Sequence, residues 1–264
     1  MDLQLQGKRA LVTGSTAGIG LAIAQGLAKE GAAVIVNGRT DKRVQQALAV
    51  LKKAGVSGKL EGLAADLGTV EGTRTAIERF PDVDILVNNL GIFEIKPFED
   101  IPDADWLRLF EVNILSGVRL SRHYLPGMKK RNWGRIVFIS SESALQIPAE
   151  MIHYGMTKTA QLAIARGLAE TTAGTNVTVN SVLPGPTASE CASNFIENLA
   201  RDQKTTRKEV EREFFQNMRP SSLLKRMIEP QEVANLVSFV CSPLSSAING
   251  AALRADGGVV RSIV

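Results

Sequence analysis

The sequence has few of the residues on which several classes of protein depend. It contains two cysteines and two histidines among 264 residues. Cys191 and Cys241 lack the paired spacing of a metal-binding or disulfide-rich protein and suit a reducing compartment. With only His123 and His153 besides, we predict no metal site.

Long apolar runs are also missing. No segment approaches the roughly 20 apolar residues that span a membrane, and the opening MDLQLQGKR lacks the apolar core of a signal peptide. We therefore expect a cytoplasmic protein with no membrane association. The net charge is only +4, and the densest basic cluster, 129–131, falls where a predicted helix ends and cations suit the helix dipole. A nucleic-acid partner is not predicted.

Aromatic residues make up 5% of the chain although 44% is hydrophobic, so aliphatic side chains must fill the core. Short apolar strands alternate with amphipathic helices along the chain, which indicates a parallel sheet covered on both faces. We predict one domain over 1–264, a doubly wound, Rossmann-like α/β fold of about seven strands. The predicted strands cover 8–13, 32–36, 58–66, 84–89, 136–141, 177–183 and 251–255. A first helix is predicted after Gly18, and the other predicted helices cover 71–80, 104–131, 154–171 and 231–241.

One segment interrupts this alternation. Residues 186–220 read as two amphipathic helices inserted after the sixth strand, at the sheet edge where α/β folds bind ligands. We predict that 187–219 forms a lid over the substrate. A surface excursion or an oligomer contact remains open.

A glycine-rich turn joins the first strand to the first helix. It holds Gly14, Gly18 and Gly20. Glycines let the backbone approach a pyrophosphate, and the helix N-terminus offers free N–H groups and a positive dipole. A purely structural turn would need one glycine rather than three, so the pattern predicts a dinucleotide site.

Tyr154 and Lys158 lie four residues apart at the start of a predicted helix, so both side chains share one face. An ammonium beside a phenol favours the phenolate, and about 4 kcal/mol would bring the phenol pKa from about 10 towards 7. Such a tyrosine can exchange a proton with a carbonyl or alcohol oxygen. Ser141, at the end of the preceding strand, could hydrogen-bond the same oxygen. Alone, this pair is a weak signal.

Together the motifs resemble the short-chain dehydrogenase/reductase family, in particular its 3-oxoacyl-(acyl-carrier-protein) reductase-like members. The matching motifs are Thr13–Gly20, Asn88-Asn89-Leu90-Gly91 (leucine replacing the usual alanine), Ser141, Tyr154 with Lys158, Pro184-Gly185 with Thr187, and Asp256-Gly257-Gly258. The resemblance implies four catalytic residues: Asn113 holds a relay water, Ser141 orients the substrate oxygen, Tyr154 is the acid or base, and Lys158 lowers its pKa and holds the nicotinamide ribose.

The glycine turn and the resemblance also predict the cofactor site. Its residues are Gly14, Ser15, Thr16, Gly18, Ile19, Gly20, Arg39, Asp66, Leu67, Asn89, Gly91, Tyr154, Lys158, Pro184, Gly185 and Thr187. Asp66 and Leu67 match positions near the adenine. The second strand ends in Arg39 with no carboxylate before Asp41, so a 2′-phosphate can be bound rather than repelled. This favours NADP(H), with NAD(H) as the alternative.

The predicted function is hydride transfer between NADP(H) and a small carbonyl or alcohol substrate. An epimerase or dehydratase on the same fold, and a scaffold that binds the cofactor without turnover, are the alternatives. The resemblance implies a homotetramer, with a dimer second. Side chains expected near the substrate are Phe93, 145–147, Phe195, Phe214 and Phe215, with Arg201, Arg207, Arg212 and Arg219 as possible anion partners. The balance of these residues predicts a largely apolar substrate.

Overall fold

A seven-stranded, wholly parallel sheet forms the centre of the computed structural model, in the order β3-β2-β1-β4-β5-β6-β7. The structure describes residues 1–263, apart from the side chains of Cys191, Ala192, Asn194 and Phe195. The strands are β1 Arg9–Val12, β2 Ala33–Gly38, β3 Leu60–Ala64, β4 Ile85–Asn88, β5 Gly134–Ile139, β6 Val177–Pro184 and β7 Ala252–Ala255. The predicted doubly wound fold is confirmed.

Helices cover both faces of this sheet. They are α1 Gly18–Lys29, α2 Asp41–Lys53, α3 Val70–Arg79, α4 Asp103–Phe110, α5 Ser116–Lys130, α6 Ile152–Glu170, α7 Glu190–Asp202, α8 Arg207–Glu213 and α9 Pro230–Val240. Side chains alternate between the two faces along each strand. Ala10 and Val12 of β1 pack in the core on one face, which α1, α2 and α9 cover, and Leu11 packs in the core on the other face, which α3, α5 and α6 cover. The inner strands are therefore buried on both sides, as parallel sheets require, whereas the edge strands β3 and β7 keep exposed or half-buried residues.

The sequence prediction omitted α2. Its signals are present, because Thr40 accepts a hydrogen bond from the Arg43 backbone N–H, and Val44, Leu48 and Leu51 recur at helical spacing on the buried face. The N-terminal cap and this stripe suffice to form a helix.

The chain reverses its winding direction beside β1. It proceeds outward through β2 and β3, then returns to place β4 on the other side of β1. The loops after β1 and β4 separate at this point, leaving a crevice at the carboxyl end of the sheet. The glycine turn follows β1, and the 89–91 segment follows β4.

The predicted helix over 104–131 is interrupted. A π-helical segment, Glu111–Leu115, lies between α4 and α5 and contains Asn113. A π turn inserts one extra residue and shifts the backbone hydrogen bonds, and such segments occur often at functional sites.

The insertion after β6 consists of α7, α8 and a second π segment, Phe214–Met218. Ile196, Ala200 and Val210 form a small separate core there. Thr187 pairs with Ile228 and ties the two ends of the insertion together. Within the described residues, no helix has the length and apolarity to cross a membrane.

Candidate active site

The loop after β1 is shaped to approach an anion closely. Gly14 and Gly18 have φ values of +60° and +53°. A Cβ at Gly20 would lie 2.5 Å from both the Asn89 Nδ2 and the Gly14 carbonyl oxygen. Ala17, at the N-cap of α1, offers no capping side chain, and the first turn has no acidic residue. The N-terminal N–H groups of α1 thus fit a dinucleotide pyrophosphate.

Ser15, predicted to bind the cofactor, lies inside this loop. Its hydroxyl is buried and donates to the Val12 carbonyl at 2.7 Å, and its N–H donates to the Asn37 carbonyl at 2.9 Å. Thr16 packs its methyl group against Gly38. These contacts indicate that Ser15 acts by shaping the loop, since its polar atoms are already paired.

Asn37 is a residue that the sequence prediction missed. It is buried at the end of β2, and its Oδ1 accepts from the Gly14 N–H at 3.0 Å while its Nδ2 donates to the carbonyls of Leu63 and Ala65. One side chain therefore fixes the glycine turn relative to β2 and β3. An amide amid the apolar residues of β2 was the available signal.

Arg39 lies exposed beyond β2 and makes no hydrogen bond or ion pair with any described residue. Asp66 and Leu67 lie in the loop that follows the adjacent strand β3. Asp66 is exposed and accepts from the Gly68 N–H at 3.0 Å, and Leu67 is buried. The guanidinium is available to a phosphate at the edge where the resemblance places the adenine ribose.

Thr13 fixes the loop after β4 against the glycine turn. Its Oγ1 accepts from the N–H groups of Asn89 and Leu90, at 2.9 and 2.8 Å. Asn89 Nδ2 donates in turn to the carbonyls of Thr13 and Gly14. The two predicted cofactor segments are therefore one hydrogen-bonded unit.

A cavity of about 280 Å³ opens beside this unit. It is lined by three of the four predicted catalytic residues, Ser141, Tyr154 and Lys158. Besides Tyr154 and Lys158, six further predicted cofactor residues line it: Ile19, Asn89, Gly91, Pro184, Gly185 and Thr187. The fold thus brings residues from five separate segments of the chain to one site.

Asn113 lies behind the cavity rather than in its wall. Its Nδ2 donates to the Ile92 carbonyl at 2.9 Å and to Thr157 Oγ1 at 3.0 Å, and its Oδ1 accepts from the Ile92 N–H at 2.8 Å. These bonds hold the 91–93 loop against α6.

Gln161 was not predicted and connects Asn113 to Lys158. Its Nε2 donates to the Asn113 main-chain carbonyl at 2.7 Å, and its Oε1 accepts from Lys158 Nζ at 3.3 Å. The side chain is buried. A glutamine three residues after the lysine, on the same helix face, was the signal in the sequence.

The electrostatics of Tyr154 differ from the sequence expectation. Burial raises the pKa of the Tyr154 phenol, the Glu142 charge raises it further, and the Ser141 hydrogen bond and the Arg219 charge lower it. Lys158 Nζ lies 5.6 Å from the tyrosine ring centroid, donates to the Ile139 carbonyl at 2.9 Å, and has its own pKa lowered to about 8 by burial. The expected lowering of the phenol pKa by Lys158 is therefore wrong for this structure, because desolvation outweighs the distant ammonium.

Glu142 and Arg219 form a buried ion pair next to Ser141. Ser141 Oγ donates to Glu142 Oε2 at 2.5 Å and accepts from the Ser143 N–H at 3.1 Å. Arg219 Nε donates to Glu142 Oε1 at 3.1 Å, and only 10% and 7% of the two side chains are exposed. Because the partners are 77 residues apart, no local pattern could reveal the pair.

The side chains expected near the substrate divide into two groups. Phe93, Phe214 and Arg219 line the cavity. The others do not: Leu145, Ile147, Arg201, Arg207 and Arg212 are exposed, and Phe215 is buried elsewhere. The side chain of Phe195 lies outside the described residues. In the part of the chain that the structure describes, no cluster of three or more His, Cys, Asp or Glu could hold a metal ion.

A dinucleotide-shaped cradle beside a Ser–Tyr–Lys group defines an oxidoreductase site. The family model described as short chain dehydrogenase matches residues 8–200. The chain belongs to the short-chain dehydrogenase family and is an oxidoreductase acting on alcohol or ketone groups.

Three relatives show the extent of the similarity. The chain is 54% identical over 263 residues to YvaG of Bacillus subtilis (strain 168), an uncharacterized oxidoreductase, with 100% of both chains covered. It is 36% identical to the 3-oxoacyl-[acyl-carrier-protein] reductase FabG of Aquifex aeolicus (strain VF5), covering 98% of this chain and 100% of that one. The structure of L-sorbose reductase from Gluconobacter frateurii, complexed with NADPH and L-sorbose, superposes with a TM-score of 0.93 at 31% identity, with 100% of both chains covered. Similar structures contain NADPH, NADP or NADH, which supports a nicotinamide cofactor.

Proposed function

We propose that this protein interconverts a small ketone and its alcohol, using NADP(H), with Tyr154 as the general acid or base. The observation that carries the proposal is the position of Tyr154. It shares a cavity with Ser141 and Lys158, and that cavity reaches Ile19 of the glycine turn and Asn89, which is bonded to that turn. A structural tyrosine would have no need of this arrangement.

Each residue has a distinct role in the proposed reaction. When bound, the cofactor gives or accepts the hydride. Tyr154 passes a proton to the substrate oxygen during reduction and removes it during oxidation. Ser141 Oγ accepts from the Ser143 N–H, and its hydroxyl hydrogen, donated to Glu142 in this structure, would turn to the substrate oxygen when the substrate binds. Lys158 is fixed by Ile139 and Gln161, and its ammonium is available to the cofactor ribose.

The residues of the cofactor site fit NADP(H). The N-terminus of α1 would receive the pyrophosphate, and Pro184, Gly185 and Thr187 would lie against the nicotinamide. Arg39 is exposed after β2 and has no protein partner among the described residues, so in the proposed complex it would pair with the 2′-phosphate. A charge-assisted bond from Arg39 to that phosphate supports NADP(H) over NAD(H).

The insertion and the assembly state complete the proposal. Residues 187–219 act as a lid, since Thr187, Phe214 and Arg219 reach the cavity. The protein is a cytoplasmic homotetramer, as the resemblance implies. Among the apolar residues of α4, α5 and the π segment between them, Ile114 and Leu125 are buried in the chain, while Phe110 and Leu107 are 41% and 69% exposed and so available to a partner subunit. Light scattering tests the assembly, and a monomer at micromolar concentration would contradict it.

A panel of carbonyl compounds and alcohols tests the activity, with nicotinamide absorbance recorded for each cofactor. We expect reduction of at least one ketone with NADPH. Failure of the folded, cofactor-binding protein to turn over any carbonyl or alcohol would leave the scaffold as the better account.

A further inference from the structure

Three charged side chains at the substrate end of the cavity neither give nor accept the proton or the hydride of the proposed reaction. Glu142, Glu150 and Arg219 all line the cavity that contains Tyr154. Arg219 Nε donates to Glu142 Oε1 at 3.1 Å, and Arg219 Nη1 lies 3.5 Å from Glu150 Oε1. Glu150 is the most accessible of the three, with 34% of its side chain exposed. We call these three residues the acidic cluster.

The acidic cluster has an excess of negative charge, because it contains two carboxylates and one guanidinium. The other charged group in the cavity wall, Lys158, is buried and held at the Ile139 carbonyl on the cofactor side. An anionic substrate group at the acidic cluster would face like charge at a desolvated site. Arg219, although an arginine on the lid, is therefore not available as a carboxylate partner.

The acidic cluster offers hydrogen-bond donors and acceptors side by side. A carboxylate has about four acceptor positions, so Glu150 and Glu142 keep free positions after pairing with Arg219 and Ser141. Arg219 Nη2 makes no hydrogen bond to any described residue, although Nη1 donates to the Met218 carbonyl at 2.9 Å. A hydroxyl both donates and accepts, so hydroxyls on neighbouring carbons match this surface. A hydrocarbon chain would displace water from the same groups without replacing its hydrogen bonds.

The size of the cavity limits the substrate. Its volume of about 280 Å³ is just below the roughly 300–1,000 Å³ typical of ligand sites. Part of this space adjoins Ile19, Pro184 and Gly185, where the nicotinamide would lie. The remainder suits a molecule of few carbons.

We propose that the acidic cluster is a hydroxyl-binding subsite and that the substrates are small, neutral, polyhydroxylated ketones and the corresponding polyols. Glu142 directly follows Ser141 and is bonded to it, so the hydroxyl next to the reacting carbon lies against Glu142. The inference rests on the proposed carbonyl reduction at Tyr154. It replaces the largely apolar substrate that the sequence predicts.

Four-carbon ketones with different substituents test the subsite. They are 1,3,4-trihydroxybutan-2-one, which is too short to close into a stable ring, 2-butanone, acetoacetate and 2,3-butanedione. We expect kcat/KM with NADPH to be at least about ten-fold higher for the trihydroxy ketone than for 2-butanone or acetoacetate. A ratio of this size is what one or more hydrogen bonds to a charged group contribute.

The variant Glu150→Gln sharpens the test, because Glu150 lies at the accessible edge and does not touch Ser141. We expect kcat/KM to fall roughly ten-fold for the trihydroxy ketone, to stay within two-fold for 2-butanone, and to rise for acetoacetate. Arg201→Met, an exposed arginine of the same insertion, is the matched control and should change none of these values.

The outcomes separate the inference from the proposed function. Preference for acetoacetate or 2-butanone, or an equal loss for all ketones in Glu150→Gln, would overturn the subsite. Reduction of 2,3-butanedione without preference for hydroxyls would also do so, while leaving carbonyl reduction in place. Faster reduction of a trimethylammonium ketone would assign the acidic cluster to a cation instead. Reduction of no ketone by a folded protein that binds NADPH would overturn both.

Discussion

Gln161 Nε2 donates to the main-chain carbonyl of Asn113 at 2.7 Å. This bond joins α6 to the π-helical segment between α4 and α5, where the backbone carbonyls are not all taken up by the regular helical pattern. The resemblance implies that Asn113 positions a relay water. Here its carbonyl accepts from a buried amide, whose other end contacts Lys158 Nζ at 3.3 Å. Gln161 therefore orients both residues.

Replacement of Gln161 by leucine should impair catalysis without removing a catalytic group. Lys158 Nζ would lose an acceptor and the Asn113 carbonyl a donor, so we expect kcat to fall about ten-fold, as for a lost hydrogen bond to a charged group. The ammonium would be less stabilised, so the pKa of Lys158, already lowered to about 8 by burial, should fall further. The alkaline limb of kcat should move to lower pH.

A second substitution distinguishes positioning from packing. Gln161→Glu keeps an acceptor for Lys158 and should move the alkaline limb back to higher pH, whereas the leucine variant moves it down. Gln203→Leu, at an exposed glutamine, is the control. An unchanged pH profile in both Gln161 variants, with only a lower melting temperature, would show that the residue is purely structural.

Tyr154→Phe tests the assignment of the general acid. The phenylalanine keeps the ring and its edge contact with Phe93, whose centroid is 6.1 Å away, but cannot transfer a proton. We expect kcat to fall by roughly 10²–10⁴-fold, the usual contribution of general acid–base catalysis, with the cofactor Kd nearly unchanged. Single-turnover kinetics and fluorescence titration of NADPH measure the two effects. Turnover within a few-fold of the parent enzyme would rule Tyr154 out.

The sequence was sufficient for the fold because the relevant signals are local. Apolar runs such as 33–36 predict buried parallel strands, and Gly14, Gly18 and Gly20 predict the turn wherever the rest of the chain lies. The motif residues that line the cavity follow strands whose carboxyl ends meet at one edge, so the topology brings them together.

What the sequence did not reveal depends on distant partners. The π segment interrupts a pattern that is otherwise helical from α4 to α5, and its buried Asn113 bonds to Ile92, Thr157 and Gln161. Whether the Tyr154 pKa is raised or lowered depends on burial and on Glu142, and neither can be read from the four-residue spacing of Tyr154 and Lys158. Local patterns locate the catalytic groups, whereas the surrounding packing determines their ionisation.

Arg39→Asp tests the cofactor preference. The substitution replaces the exposed cation after β2 by a carboxylate, which repels a 2′-phosphate and can bond ribose hydroxyls. We expect the ratio of kcat/KM for NADPH to that for NADH to fall by more than about 100-fold. The loss of the attraction to the 2′-phosphate and the gain of a repulsion each contribute about ten-fold. Lys52→Asp, at the far end of α2, controls for the change in net charge. Equal use of both cofactors by the parent enzyme would contradict the role of Arg39.

Glu142→Gln should change the pH dependence of catalysis in a direction that the structure determines. The Glu142 charge raises the pKa of Tyr154, and the Arg219 charge lowers it. Removing the carboxylate abolishes the first effect and leaves Arg219 without its closest counter-charge, so both consequences lower the phenol pKa. Oxidation of an alcohol requires the deprotonated phenol, so its rate should reach a maximum at lower pH than in the parent enzyme. Reduction requires the protonated phenol, so the fall of its rate with rising pH should begin at a lower pH than in the parent enzyme.

Glu99→Gln, at an exposed site, serves as the control. Lower rates with both pH profiles unchanged would show that Glu142 acts by orienting the Ser141 hydroxyl, to which it is bonded at 2.5 Å, rather than through its charge.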